Sequence, residues 1–187
     1  TRTRAWGFFI SDGLKRVGPS PRVAAAPLTT RSPGFDFACP KMNLELEQQR
    51  VLVVGAAGTI GKAVTQAFLQ EGCSVVLLDK HPCDSEDFSH AHERLHAIRG
   101  DVRQAEKVKQ AVAYCKHHLG GLDHAIYTVG AGSGKYGFPF WNLSPSDWPS
   151  VLEVNIMGAV HLAHAFAPEA IQQAGRTVCL MTSVAGQ

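Results

Sequence analysis

From residue 51 onward, short apolar runs alternate with longer amphipathic periods, a pattern that few folds accept. Residues 51–54 and 75–78 read as strands and residues 60–69 as the helix between them, a βαβ unit. Further strands are predicted at 95–98, 122–128 and 177–181, with helices from Gln104 to about His118 and from near Asp147 to Ala167. Pro149 fits only the first turn of that last helix, which makes Asp147 its expected N-cap. Strands separated by helices pair in parallel through crossovers, so the pattern predicts an α/β fold with a doubly wound parallel sheet covered on both faces.

Residues 1–41 break from this pattern. They contain five prolines, seven Lys/Arg against two Asp and no sustained hydrophobic period, and are expected to be a disordered leader. Their basic, Ser/Thr-bearing composition also suits an organellar transit segment, while Met42 directly before the folded pattern is a candidate true start. Residues 42–187 then form the folded domain. They hold eleven Lys/Arg against fourteen Asp/Glu, a mildly acidic balance that offers no electrostatic footprint for nucleic acid. The five cysteines form neither a spaced metal motif nor an even disulfide framework, so a reducing, cytoplasmic setting is expected. No run of eighteen apolar residues exists, and the chain is expected neither to span a membrane nor to be secreted.

The chemistry-bearing segment is Gly55-Ala56-Ala57-Gly58-Thr59-Ile60-Gly61, between the first strand and its helix. Gly55 suits the tight turn, Gly58 lets backbone approach a pyrophosphate, and Gly61 lets helix and strand pack closely, with N–H groups at the helix start facing phosphates. The same spacing also serves a strand-to-helix turn with no ligand at all. Asp79 ends the second strand, where a carboxylate can bind adenosine ribose hydroxyls and repel a 2′-phosphate, favouring NAD over NADP. Asp101, in Gly100-Asp101-Val102 after the third strand, can accept from an adenine amino group or simply cap a helix. Loop, Asp79 and Asp101 together point to a Rossmann-type dinucleotide site.

These motifs, with Val129-Gly130, Asn155 and Thr182-Ser183-Val184-Ala185-Gly186 in the same order, resemble the short-chain dehydrogenases across residues 51–186. The resemblance implies an NAD(P)-dependent oxidoreductase acting on an alcohol or carbonyl substrate. It implies that Ser183 orients the substrate oxygen and that Asn155 helps complete a proton relay. It implies cofactor contacts from the glycine loop, Asp79, Asp101, Val102, Val129 and Gly130. It further implies a tyrosine general acid/base and a lysine one helical turn later. Four residues after Tyr114, Tyr127 and Tyr136 stand His118, Ala131 and Phe140, so no Tyr-x-x-x-Lys occurs in the 187 residues. The chain is therefore expected to be an amino-terminal piece, its sheet truncated after the fifth strand.

Three features depart from the resemblance. Thr59 stands where the classical loop has its middle glycine, and the Gly55, Gly58, Gly61 spacing resembles the extended or atypical branches, whereas Asn155 and the Thr182-Ser183-Val184-Ala185-Gly186 ending favour the classical branch over the epimerase-like one. Tyr127-Thr128-Val129-Gly130 replaces Asn-Asn-Ala-Gly, which should weaken an asparagine contact that stabilises the sheet. Asn155 falls on the predicted apolar stripe of Trp148, Leu152, Ala159 and Leu162, where a polar group needs a partner; a packed backbone carbonyl would serve as well as a relay. Ser183 has the corresponding alternative of a strand-end cap. His81, Cys83, His90, His92 and His96, with Asp84, Glu86 and Asp87, crowd one segment without structural zinc spacing, so no metal is expected. Gly132-Ser133-Gly134-Lys135 lacks the Ser or Thr that a phosphate-binding P-loop carries after its lysine.

Two function classes follow: a dehydrogenase piece whose parent assembles as a homo-oligomer, with the stripe of the long helix as a candidate interface, or a non-catalytic dinucleotide-binding module. Neither needs residues 1–41. Deleting them is expected to leave the thermal midpoint unchanged, and a drop of several degrees in the melting curve would count against their dispensability.

Overall fold

In a computed structural model the described residues are 44–83, 88, 92–135 and 140–183. Residues 1–41, on which the leader reading rests, lie outside them. Five parallel strands form one sheet in the order β3-β2-β1-β4-β5. They are β1 (Arg50–Val54), β2 (Ser74–Asp79), β3 (Leu95–Arg99), β4 (His124–Tyr127) and β5 (Thr177–Leu180). Helices α1 (Thr59–Gln70) and α2 (Ala105–Leu119) follow β1 and β3. After β4 the chain enters α3 (Trp148–Leu152), a π-helical turn (Glu153–Met157) and α4 (Gly158–Ala170). This is the predicted α/β architecture, a Rossmann-type doubly wound sheet.

The two-residue period of the strands sorts the core into two layers. Leu52, Val54, Val76, Leu78, Ala125 and Tyr127 point to the face covered by α2 and α4, where they meet Val108, Val112, Cys115, Leu162 and Phe166. Val51, Val53, Val75, Leu77 and Ile126 point to the other face with Leu69 and Cys73. Residues 51–54 of β1 are all buried, which is why that strand reads as an unbroken apolar run. Each fully buried Val or Leu contributes about 1.5–3 kcal/mol relative to exposure. Burial pushes the Cys73 thiol up to about 11 and the Cys115 thiol up to about 12, so both stay protonated and pack as small apolar groups. β5, by contrast, is an edge strand with all four residues exposed.

The long helical stretch differs from its sequence reading in three ways. Asp147 makes no side-chain cap to α3. The cap lies one turn earlier, where Ser144 precedes a 3₁₀ turn and the Asp147 carboxylate accepts from the Ser144 N–H at 2.8 Å, a capping box. The π turn inserts an extra residue, so the predicted stripe breaks: Trp148 and Leu152 are exposed while Leu162 is buried. The helix also continues through Pro168 to Ala170, beyond the predicted stop at Ala167. Proline forfeits one backbone donor there, and buried Glu169 secures the last turn by pairing with Lys116 at 2.9 Å. By length and composition alone the stretch Pro145–Ala170, with mean hydropathy 1.2, could cross a membrane, a candidate that a search for an unbroken apolar run passes over. Its Leu162 and Phe166 are buried in the core.

At the amino end of the sheet, Arg50 grips Asp123 through Nε–Oδ2 and Nη2–Oδ1 bonds of 2.7 Å each, tying β1 to the entrance of β4. Burial pushes the Asp123 carboxyl up, but the Arg50 guanidinium and backbone N–H outweigh it, leaving the carboxyl below its ordinary 3.8. A depressed folded value stabilises the fold fully above 3.8, and that contribution is lost as pH falls through the folded value. Asp123→Asn is expected to cost roughly 1–3 kcal/mol at pH 7 and to flatten the acid limb of the stability profile, read by urea unfolding across pH. An unchanged acid limb would show that the clamp contributes nothing.

Candidate dinucleotide site

The site starts from where β1 ends. Gly55 donates to the Leu78 carbonyl at 2.8 Å and turns the chain with φ +89°, a conformation L side chains rarely adopt. A Cβ there would also come within 2.8 Å of Thr128 Oγ1 and Val129 Cγ2. Gly61 is equally constrained, since a Cβ would stand 2.1 Å from the Gly55 carbonyl oxygen. Gly58 differs: its nearest neighbour for an added Cβ is that same oxygen at 3.4 Å, ordinary contact. Gly58 is the N-cap of α1, a helix that begins with no side-chain cap and no acidic residue in its first turn. The positive end of the helix dipole therefore has no compensating group within the helix's own first turn.

Beside this turn lies a cavity of about 710 Å³, within the ~300–1,000 Å³ usual for small-molecule sites. Gly55, Gly58, Asp79, Asp101, Val102, Val129 and Gly130, all predicted from sequence, line it. Thr59, Ile60, Gly61, Asn155 and Ser183 do not. Ile60 projects to the exterior, and Gly61 is buried against the loop itself. Ser183 follows β5 by three residues, at the carboxyl edge of the sheet, while Val184, Ala185, Gly186 and Gln187 lie outside the described residues, as does Tyr136.

The two acidic groups are held differently. Asp79 accepts from the Ala57 N–H at 3.0 Å and from the His81 N–H at 2.8 Å, locking the end of β2 to the glycine loop with one oxygen each. Asp101 is gripped by Arg103, whose Nε and Nη2 donate at 2.9 and 2.5 Å and whose backbone N–H donates at 3.0 Å. That guanidinium holds the Asp101 carboxyl below the usual carboxylate range. Arg103 itself is a wall residue.

The opposite wall comes from the long helix. Ser150 and Val154, four residues apart, line the cavity. Asn155 spends its amide on the backbone of one residue: Nδ2 donates to the Ala131 carbonyl and Oδ1 accepts the Ala131 N–H, both at 2.8 Å. The loop is further tied down by Lys135, whose Nζ meets Asp147 at 2.6 Å. Tyr127 donates to the Val154 carbonyl at 2.5 Å within the π turn, against Gly158, where a Cβ would stand 2.2 Å from its hydroxyl oxygen. Burial pushes the Tyr127 hydroxyl up to about 12.

Thr128, which stands where the family pattern has an asparagine, bonds through its side chain to the end of β1. Its hydroxyl reaches the carbonyls of Val54 at 2.9 Å and Gly55 at 3.2 Å, linking β4 to the turn after β1. Sequence reasoning missed Ala57, Lys80, His81, Arg103, Thr128, Ala131, Ser150 and Val154 as wall residues. A signal existed for Ala57 and Thr128 inside the motifs already read, for Arg103, two residues after a carboxylate, and for Ser150 and Val154 at helical spacing. Among the described residues no three His, Cys, Asp or Glu side chains gather to hold a metal. His90, Asp84, Glu86 and Asp87 lie outside those residues.

Known proteins align with about three quarters of the chain. The chain is 27% identical over 150 residues to the uncharacterized oxidoreductase YvrD of Bacillus subtilis, covering 78% of this chain and 55% of that protein. It is 27% identical over 139 residues to cis-2,3-dihydrobiphenyl-2,3-diol dehydrogenase of Paraburkholderia xenovorans, covering 72% and 50%. Among solved structures, a glucose/ribitol dehydrogenase-type short-chain dehydrogenase/reductase from Brucella melitensis superposes with TM-score 0.67 at 26% identity, covering 77% of this chain and 60% of that one. The chain thus spans about half the length of the curated relatives it matches. The sequence model of the short chain dehydrogenases matches residues 49–187, and the chain belongs to that family.

Proposed function

We propose that the cavity binds a nicotinamide dinucleotide, NAD in preference to NADP, and that the whole protein moves hydride between it and a small alcohol or carbonyl substrate. Membership of an oxidoreductase family supports the reaction class. The observation that carries the binding is the uncapped start of α1 at Gly58, the loop glycine that the chain's own packing does not demand, opening on a cavity at the carboxyl edge of the sheet. In this reading the first N–H groups of α1, at Thr59, Ile60 and Gly61, face the pyrophosphate. Asp79 keeps a lone pair on each oxygen for the ribose hydroxyls after its two backbone bonds. Val102, Val129 and Gly130 supply apolar and backbone wall. When bound, the nicotinamide ring gives up or receives the hydride at C4. Ser183 orients the substrate oxygen, and Asn155, through the clamped Ala131 backbone, holds the loop after β4.

Asp79 sets the cofactor preference through its negative charge, which a 2′-phosphate would meet directly. Titration is expected to give tighter binding of NADH than NADPH, and Asp79→Ala to narrow the gap by about tenfold, a loss of roughly 1.4 kcal/mol in discrimination. Tighter NADPH binding by the unaltered chain would reject the preference.

Within the 187 residues one observation favours binding without turnover. Tyr127 is buried and its hydroxyl is held by the Val154 carbonyl, so it serves as no acid or base, and no Tyr-x-x-x-Lys is present. General acid/base groups typically contribute about 10²- to 10⁴-fold. The chain is therefore expected to show no turnover in a nicotinamide absorbance assay against alcohols and ketones. A longer chain carrying Tyr-x-x-x-Lys beyond Gln187 should turn over and lose most activity on Ser183→Ala. Robust turnover by the 187 residues, or indifference of the longer chain to Ser183, would contradict the assignment.

A further inference from the structure

The turn after β3 forms one end of the cavity, with Gly100, Asp101, Val102 and Arg103 in its wall. β3 is an edge strand, so β2 is the one strand beside this turn. The backbone bonds that shape it are short in reach: the Gly100 N–H donates to the Asp79 carbonyl at 2.9 Å, and the Asp101 carbonyl accepts from the Gln104 N–H at 3.0 Å. Neither bond sets the spacing between the turn and the wall opposite, which belongs to the helical stretch after β4.

His161 on α4 supplies that link. Its Nδ1 lies 2.9 Å from the Val102 carbonyl oxygen, 59 residues away in the sequence. A carbonyl can only accept, so the imidazole carries a proton on Nδ1 and donates it to this bond. Three residues earlier on the same face of the helix, Gly158 lets the backbone close on the Val102 side chain: a Cβ there would stand 3.0 Å from Cγ2 and 3.1 Å from Cβ. Val102 is buried, so loss of the donor would leave its carbonyl unpaired and away from solvent.

We propose that His161 is a positioning residue of the dinucleotide site, holding the Asp101-Val102 turn at the distance from the long helix that the purine end of the cofactor requires. This role rests on the dinucleotide reading above. His161 is not among the wall residues, so it acts on a ligand through the Val102 backbone and reaches the purine end of the site, not the start of α1.

Calorimetric titration of the full chain with NADH tests it, using variants that separate the hydrogen bond from packing. His161→Phe keeps a ring and removes the donor. His161→Asn removes the ring and keeps a donor, because its Nδ2 is bonded to Cγ as Nδ1 is in histidine. His161→Phe should weaken NADH about tenfold, the worth of one hydrogen bond, and His161→Asn should recover affinity to within about threefold of the unaltered chain. His161→Ala, free of the bulk of Phe, should repeat the loss and takes the place of His161→Phe if the larger ring prevents folding. Backbone amide spectra locate the effect: at saturating NADH the Gly58 and Thr59 amides should shift in the donor-less variant as they do in the unaltered chain, while the shifts at Asp101 and Val102 shrink. Unchanged NADH affinity without the donor would overturn the role of His161 alone, and so would a His161→Asn variant as weak as His161→Ala. Absence of NADH binding by the unaltered chain would remove the proposed function and the role of His161 together.

Discussion

The turn at Gly55 is the constraint on which the site depends. β1 lies between β2 and β4, buried on both faces, and its carboxyl end can leave the sheet only over the edge where those neighbours also end. A positive φ at Gly55, with Thr128 and Val129 against it, sends the chain straight into α1. Any side chain at Gly55 would collide with the β4 exit and any at Gly61 with the turn itself. Packing thus dictates two glycines, and the third, Gly58, sits where the uncapped helix start opens to the cavity.

The far wall is held by a second set of contacts. The π turn puts the Val154 carbonyl within reach of the Tyr127 hydroxyl, and Gly158 leaves the room that hydroxyl needs. One residue on, Asn155 clamps Ala131. β4, the loop after it and the long helix therefore meet through two side chains: a strand residue bonding a helix carbonyl, and a helix residue bonding the backbone of a loop residue. The Thr128 hydroxyl completes the link back to β1.

The fold was legible because its signals are local. Four-residue apolar runs such as 51–54 and 75–78 can only be strands buried on both faces when helical periods separate them. The glycine loop and Asp79 were legible for the same reason, as strand ends at known intervals. The π turn was not, because an inserted residue in a helix leaves no periodic trace, and the stripe from Trp148 to Leu162 broke across it. Wall residues such as Lys80 and Val154 belong to the site only through the sheet order, which no window of sequence contains.

The central claim is that phosphates of a dinucleotide rest on the start of α1. Backbone amide resonances read this directly on titration with NADH. The account predicts that the amides of Gly58, Thr59, Ile60 and Gly61 shift together and saturate with one affinity, while those of His117, His118 and Leu119, at the far end of α2, stay in place. Saturating NADH that leaves the four loop amides unmoved, or that shifts the α2 terminus in their stead, would contradict it.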